Sequence, residues 1–182
     1  MREKFCNPVP FSDGRRHTNP DPFIMRWCGR YYCYATDEAG VKVSVSEDMV
    51  HWDFRGFAIS EKECHHYWAP SVIYLNGMFY MYYSNIPMEE EDCHEQHLKL
   101  AVSEDPLGPF VYRKTFFEKF SIDSHPLKRG GELYMFYSVN DWLGLEEKVA
   151  GTCILLDKMV LPEEFAGDPK PVVLPSLPQE IY

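Results

Sequence analysis

Apolar and polar residues alternate with period two through Val41-Lys42-Val43-Ser44-Val45-Ser46, the pattern of a strand with one buried face. The aromatic and β-branched run from Tyr31 to Thr36 precedes it, and Glu38-Ala39-Gly40 supplies the hairpin turn between the two. His51-Trp52-Asp53-Phe54-Arg55-Gly56 then closes a first unit as an outer strand. The order returns further on. Phe79 to Ser84 is followed by Leu98-Lys99-Leu100-Ala101-Val102-Ser103-Glu104-Asp105 and by Phe110-Val111-Tyr112. A third set runs from Leu133 to Val139 and from Gly151 to Leu156, with Asp157-Lys158-Met159-Val160 as the turn after it. No stretch of ten or more residues carries a 3.6-residue period, so the chain reads as all-β.

Each unit opens on a Pro-containing turn, then an apolar residue, a Gly and an aromatic strand. The three openings are Asn19-Pro20-Asp21-Pro22-Phe23-Ile24, Ala69-Pro70-Ser71-Val72-Ile73-Tyr74 and Ser124-His125-Pro126-Leu127. With Pro as the phase mark the spacings are 48 (70 − 22) and 56 (126 − 70) residues, at the upper edge of propeller blades. The expected fold is a β-propeller with about three blades, at about 21–66, 67–120 and 121–167. Residues 1–20 are an extended lead-in whose order must come from docking. The tail at 168–182, with Pro169, Pro171, Pro175 and Pro178, suits a linker between blades or an end that needs a partner. Propellers close with about four to eight blades, so three leave open faces for missing blades or a self-association partner to cover.

The 182 residues, 45% hydrophobic and 15% aromatic, suffice for one domain with a sizeable core. A net charge of −10 and a pI near 5.1 argue against nucleic acid and anionic membrane, which need a basic footprint. No apolar run approaches the ~20 residues of a membrane span, and Met1 to Cys6 holds no apolar leader, so the expected location is cytoplasmic. The six Cys are irregularly spaced without a C-x-x-C pair, which suggests reduced thiols and no structural zinc. Cys64-His65-His66 with Cys93-His94 is the one candidate metal cluster, but adjacent ligands rarely close on one ion; no metal or other cofactor is expected. Glu89-Glu90-Glu91-Asp92 reads as a solvated loop, with a cation site as the alternative.

In a propeller the starts of the units converge on one end of the central channel. Here those positions hold Asp21, Trp68-Ala69-Pro70 and Asp123. Two carboxylates and an aromatic platform are what glycoside cleavage requires, one acid to activate water and a flat apolar surface for a sugar ring. Singly, Asp21 and Asp123 also suit turn capping, Trp68 suits a core, and His125 is either a pocket residue or a loop histidine.

Asn19-Pro20-Asp21-Pro22-Phe23-Ile24, Tyr67-Trp68-Ala69-Pro70-Ser71-Val72 and Ser121-Ile122-Asp123-Ser124-His125-Pro126 resemble, in order, the first three blade openings of glycoside hydrolase family 43. The resemblance runs from Asn19 to about Gly167 and implies a five-bladed propeller that cleaves arabinosides or xylosides by inverting hydrolysis. It implies that Asp21 is the general base and that Asp123 orients the general acid and raises its pKa. Trp68 would line the sugar pocket, with His65, His66, Tyr67 and His125 as candidates for bonding sugar hydroxyls. The family's general acid, a Glu in a Glu-Gly-Pro-like motif, has no match here; Glu180 is the nearest candidate and lacks the motif. A carbohydrate-binding or assembly module without catalysis is therefore the alternative.

Overall fold

The computed structural model describes residues 9, 11–143 and 150–177; Glu180 and much of the lead-in lie outside them. Three antiparallel sheets follow one another along the chain. The first is β1 (Phe23–Trp27), β2 (Arg30–Ala35), β3 (Val41–Ser46) and β4 (Asp53–Ile59), paired in that order. The second is β5 (Cys64–Leu75), β6 (Met78–Pro87), β7 (His97–Ser103) and β8 (Val111–Thr115). The third is β9 (Ile122–Arg129), β10 (Glu132–Leu143) and β11 (Ala150–Leu161), with β12 (Glu164–Phe165) and β13 (Lys170–Val173) both pairing to β11. Among the described residues the one helical element is a single 3₁₀ turn at Cys93–Glu95. The all-β expectation holds, and the sheets match three propeller blades.

Each blade begins with the same hairpin. Trp27 pairs with Arg30, Leu75 with Met78 and Arg129 with Glu132, so two residues make each turn. Those pairs, Cys28-Gly29, Asn76-Gly77 and Gly130-Gly131, all have positive φ at both positions, as a primed turn matching the strand twist demands.

The blades pack face to face through two apolar layers. Tyr32, Tyr34 and Val43 meet Tyr67, Phe79, Met81 and Tyr83 between the first and second blades. Tyr82, Leu98 and Leu100 meet Met135, Tyr137 and Leu155 between the second and third. Because β6 has a blade on either side, every residue from Met81 to Ile86 is buried. Each layer is also tied by a tyrosine: Tyr34 Oη donates to the Pro106 carbonyl at 2.7 Å and Tyr82 Oη to the Pro162 carbonyl at 2.8 Å. The third blade has Phe136 at this position, which carries no hydroxyl and is only partly buried.

The sequence pattern misjudged three segments. Alternation in β3 predicts one solvated face, yet Lys42, Ser44 and Ser46 are buried too. The lead-in covers them: Phe11 bridges to Trp52 and packs with Cys33 and Trp52, while the Lys42 ammonium donates to the Thr18 carbonyl and pairs with Asp37 at 3.3 Å. Residues 157–160 are strand rather than turn. The Asp157 carboxylate, though buried, accepts the backbone N–H groups of Gly167 and Asp168, so a polar pair suggesting a turn is satisfied inside a sheet. The proline-rich tail likewise enters the third sheet, where Lys170–Val173 forms an outer strand; proline suits such an edge, which needs fewer N–H donors.

Candidate active site

The blade openings are marked in the backbone by left-handed residues: φ is 48° at Asp21, 40° at Ala69 and 55° at Asp123. Aspartate enters this region more readily than most residues, whereas alanine there is unusual and stores strain. The structural phase is thus 21, 69 and 123, and Ser124 rather than Pro126 matches Pro22 and Pro70. The bends turn the three inner strands toward a common axis. There Ser71 Oγ lies 3.4 Å from Ser124 Oγ, and the Phe23 ring lies 5.7 Å from that of His125.

Asp21 is exposed and held from one side. Thr36 Oγ1 donates to Asp21 Oδ2 at 2.7 Å and accepts the Ala69 N–H at 2.9 Å. One hydroxyl therefore fixes the carboxylate of the first blade to the backbone of the second. Thr36, one residue past β2, and Ser84 and Ser138, within β6 and β10, hold equivalent places in the three blades, at the same spacings as 21, 69 and 123. Ser84 shows what the carboxylate contributes. Its Oγ is buried without a partner, and the residue at its blade opening is Ala69 instead of an acid. Thr36→Val should cost about 1–3 kcal/mol, because the Ala69 N–H loses its acceptor. Urea unfolding measures this, and a variant as stable as the parent would make the link incidental.

Asp123 is pushed above the ordinary aspartate range, first by desolvation and second by the negative charge of Asp21. The residue keeps an open face to solvent, but its carboxyl is crowded by protein and within reach of the Asp21 charge. Their coupling sets a sign. With the folded pKa raised, the native state holds the Asp123 proton more tightly than the unfolded chain, so stability falls as pH rises through the folded pKa. Asp123→Asn, which cannot ionise and tolerates the same backbone, should be more stable than the parent at pH 7, the difference closing below about pH 3.9. Thermal melts across that range test it; an Asn variant less stable at pH 7 would reverse the assignment.

Trp68 and Ile122, the neighbour of Asp123, line a cavity of about 270 Å³ with Cys93, His94, Phe120, Asn140 and Thr152. The loop after β6 supplies part of its wall. Asp92 caps the 3₁₀ turn by accepting the His94 N–H at 2.8 Å and meets His94 Nδ1 at 2.7 Å, which fixes the imidazole at the cavity. The Glu90 carboxylate accepts the N–H groups of Glu91 and Asp92, so these acids shape an exposed loop.

Tyr67 does not belong with these groups. It is 0% exposed, its ring stacks on Tyr83 at 5.7 Å, and its hydroxyl accepts the Glu61 N–H at 2.9 Å. Burial pushes its pKa up to about 12. The sequence expectation that it binds sugar is corrected: Tyr67 faces the layer between the blades because strand alternation places it opposite Trp68. His66 is half-buried and turns toward His65, with ring centroids 4.4 Å apart. His125 is exposed beside Phe23. Thr36 and His94 are what the motifs missed. Thr36 was findable from its recurrence with Ser84 and Ser138, whereas the sequence marks His94 only beside Cys93 as a candidate metal ligand and not as a pocket residue.

A propeller whose blade openings hold coupled carboxylates beside an aromatic pocket is the class that fold and site define. The chain belongs to glycosyl hydrolases family 43, whose description matches residues 10–160. It is 28% identical to a thermostable family-43 glycoside hydrolase of known structure, with TM-score 0.79 over 96% of this chain and 58% of that one. An α-L-arabinofuranosidase from Lactobacillus brevis shares the fold, with TM-score 0.72 at 14% identity over 96% and 57% of the two chains. A Xylanibacter ruminicola protein assigned as a β-xylosidase is 29% identical over 108 residues, 53% of this chain and 19% of that protein. The chain thus spans about a fifth of that relative and little more than half of those two solved structures.

Proposed function

We propose that this chain contributes the base side of a glycosidase site that cleaves arabinosides or xylosides with inversion. The observation that carries the reading is the coupling of Asp21 and Asp123 across one opening, with Asp21 fixed by Thr36. The ionised Asp21 takes a proton from water as its oxygen attacks the anomeric carbon, and the glycosidic bond breaks toward the leaving oxygen. Asp123 acts on the group that protonates that oxygen, by a like-charge effect that holds an acid in its protonated form. That acid belongs to a further blade packed on the open face of the third, where Phe136 awaits the cover that Tyr82 has. Trp68 supplies the flat face for the sugar.

The absence of a Glu-Gly-Pro motif favours a second reading, a module that binds sugar without cleaving it. Calorimetry with pentose oligomers and a reducing-sugar assay on the same chain separate the two: binding without product supports the module. In either case Trp68→Ala should weaken binding by about 0.5–1.5 kcal/mol, up to about tenfold in Kd. Unchanged affinity would remove Trp68 from the site.

A further inference from the structure

Glu38, His65 and His66 place one carboxylate oxygen and two imidazole nitrogens within 4.8 Å of one another. Successive side chains of a strand point to opposite faces, so two adjacent histidines should diverge. They do not, because His66 stands at φ 51° and the left-handed turn brings both rings to one side. One backbone and one side-chain hydrogen bond hold that turn: the His66 N–H donates to the Glu38 carbonyl at 2.8 Å, and the His66 carbonyl accepts Gln96 Nε2 at 2.9 Å. Gln96 is itself fully buried.

A second feature prepares one ligand. His65 Nε2 lies 2.7 Å from the Glu90 carbonyl, which can only accept, so Nε2 carries the proton and Nδ1 keeps the lone pair. A histidine whose far nitrogen donates to a carbonyl is oriented as metal-bound histidines are.

We propose that Glu38, His65 and His66 form a transition-metal site that ties the first blade to the start of the second. Two imidazoles and one carboxylate suit Zn²⁺ or Co²⁺ better than Ca²⁺ or Mg²⁺, which favour oxygen ligands. Zinc bonds of about 2.0–2.1 Å put tetrahedral ligands about 3.3 Å apart, so the exposed Glu38 side chain and the two part-buried imidazoles have to turn inward from a spread of up to 4.8 Å to close on one ion. Three protein ligands leave a fourth position for water. The site stands apart from the hydrolytic reading and does not depend on it.

The test is titration of the 182-residue chain with Zn²⁺ by calorimetry and with Co²⁺ by visible absorption. One ion should bind per chain, with no thiolate-to-cobalt charge transfer, and the melting temperature should rise. His65→Gln, His66→Asn and Glu38→Gln should each weaken binding about tenfold or more. Asparagine tolerates the left-handed backbone at 66, and circular dichroism confirms folding; should a histidine variant not fold, Glu38→Gln on its exposed side chain decides. No binding, a thiolate spectrum, binding unchanged by the substitutions, or tighter Ca²⁺ than Zn²⁺ would each overturn the proposal.

Discussion

Asp21→Asn, in a chain extended by the further blade proposed to carry the acid, is expected to lose about 10²- to 10⁴-fold in turnover of an aryl arabinoside or xyloside, the contribution of one general base. The substitution is chosen to separate chemistry from folding. Asparagine keeps the shape of the side chain and an oxygen that accepts from Thr36 Oγ1, and it tolerates the positive φ at this turn. It cannot take a proton from water. The loss should therefore fall on kcat, with KM and melting temperature little changed. Retained activity would exclude Asp21 as the base, and a loss matched by unfolding would return it to the role of a turn cap.

Tyr67→Ala is the second large effect, and it falls on stability. The side chain is fully buried between two blades, stacked on Tyr83, so truncation opens a cavity and should cost about 3–5 kcal/mol in denaturant unfolding. Tyr67→Phe isolates the hydroxyl, whose bond to the Glu61 N–H is worth about 0.5–1.5 kcal/mol. The Phe variant should bind sugar as the parent does. A Phe variant with weakened sugar binding and unchanged stability would restore Tyr67 to the site.

What the sequence disclosed follows a pattern. Inner-strand aromatics, glycine turns and the three openings were legible because one unit is repeated, and the repeat exposes its phase at Asp21 and Asp123. Segments whose environment is set by non-local packing were not. Lys42 sits in an alternating strand that looks half-solvated, and only docking of the lead-in buries it. Asp157 looks like a turn residue until its carboxylate meets the N–H groups of Gly167 and Asp168. Pro126 was the wrong phase mark because the left-handed bend, not the proline, defines a blade opening, and φ has no letter in the sequence. For the same reason the approach of the His66 ring to that of His65 had no signal in the sequence.

The central claim is that Asp21 and Asp123 act on one another within a single site, and the carboxyl titration of Asp123 by ¹³C NMR tests it on the chain as it stands. Asp123 should titrate above the ordinary aspartate value, and in Asp21→Asn its pKa should fall back toward that value as the neighbouring charge is removed, leaving the part due to desolvation. An Asp123 titration that Asp21→Asn leaves unmoved would contradict the account.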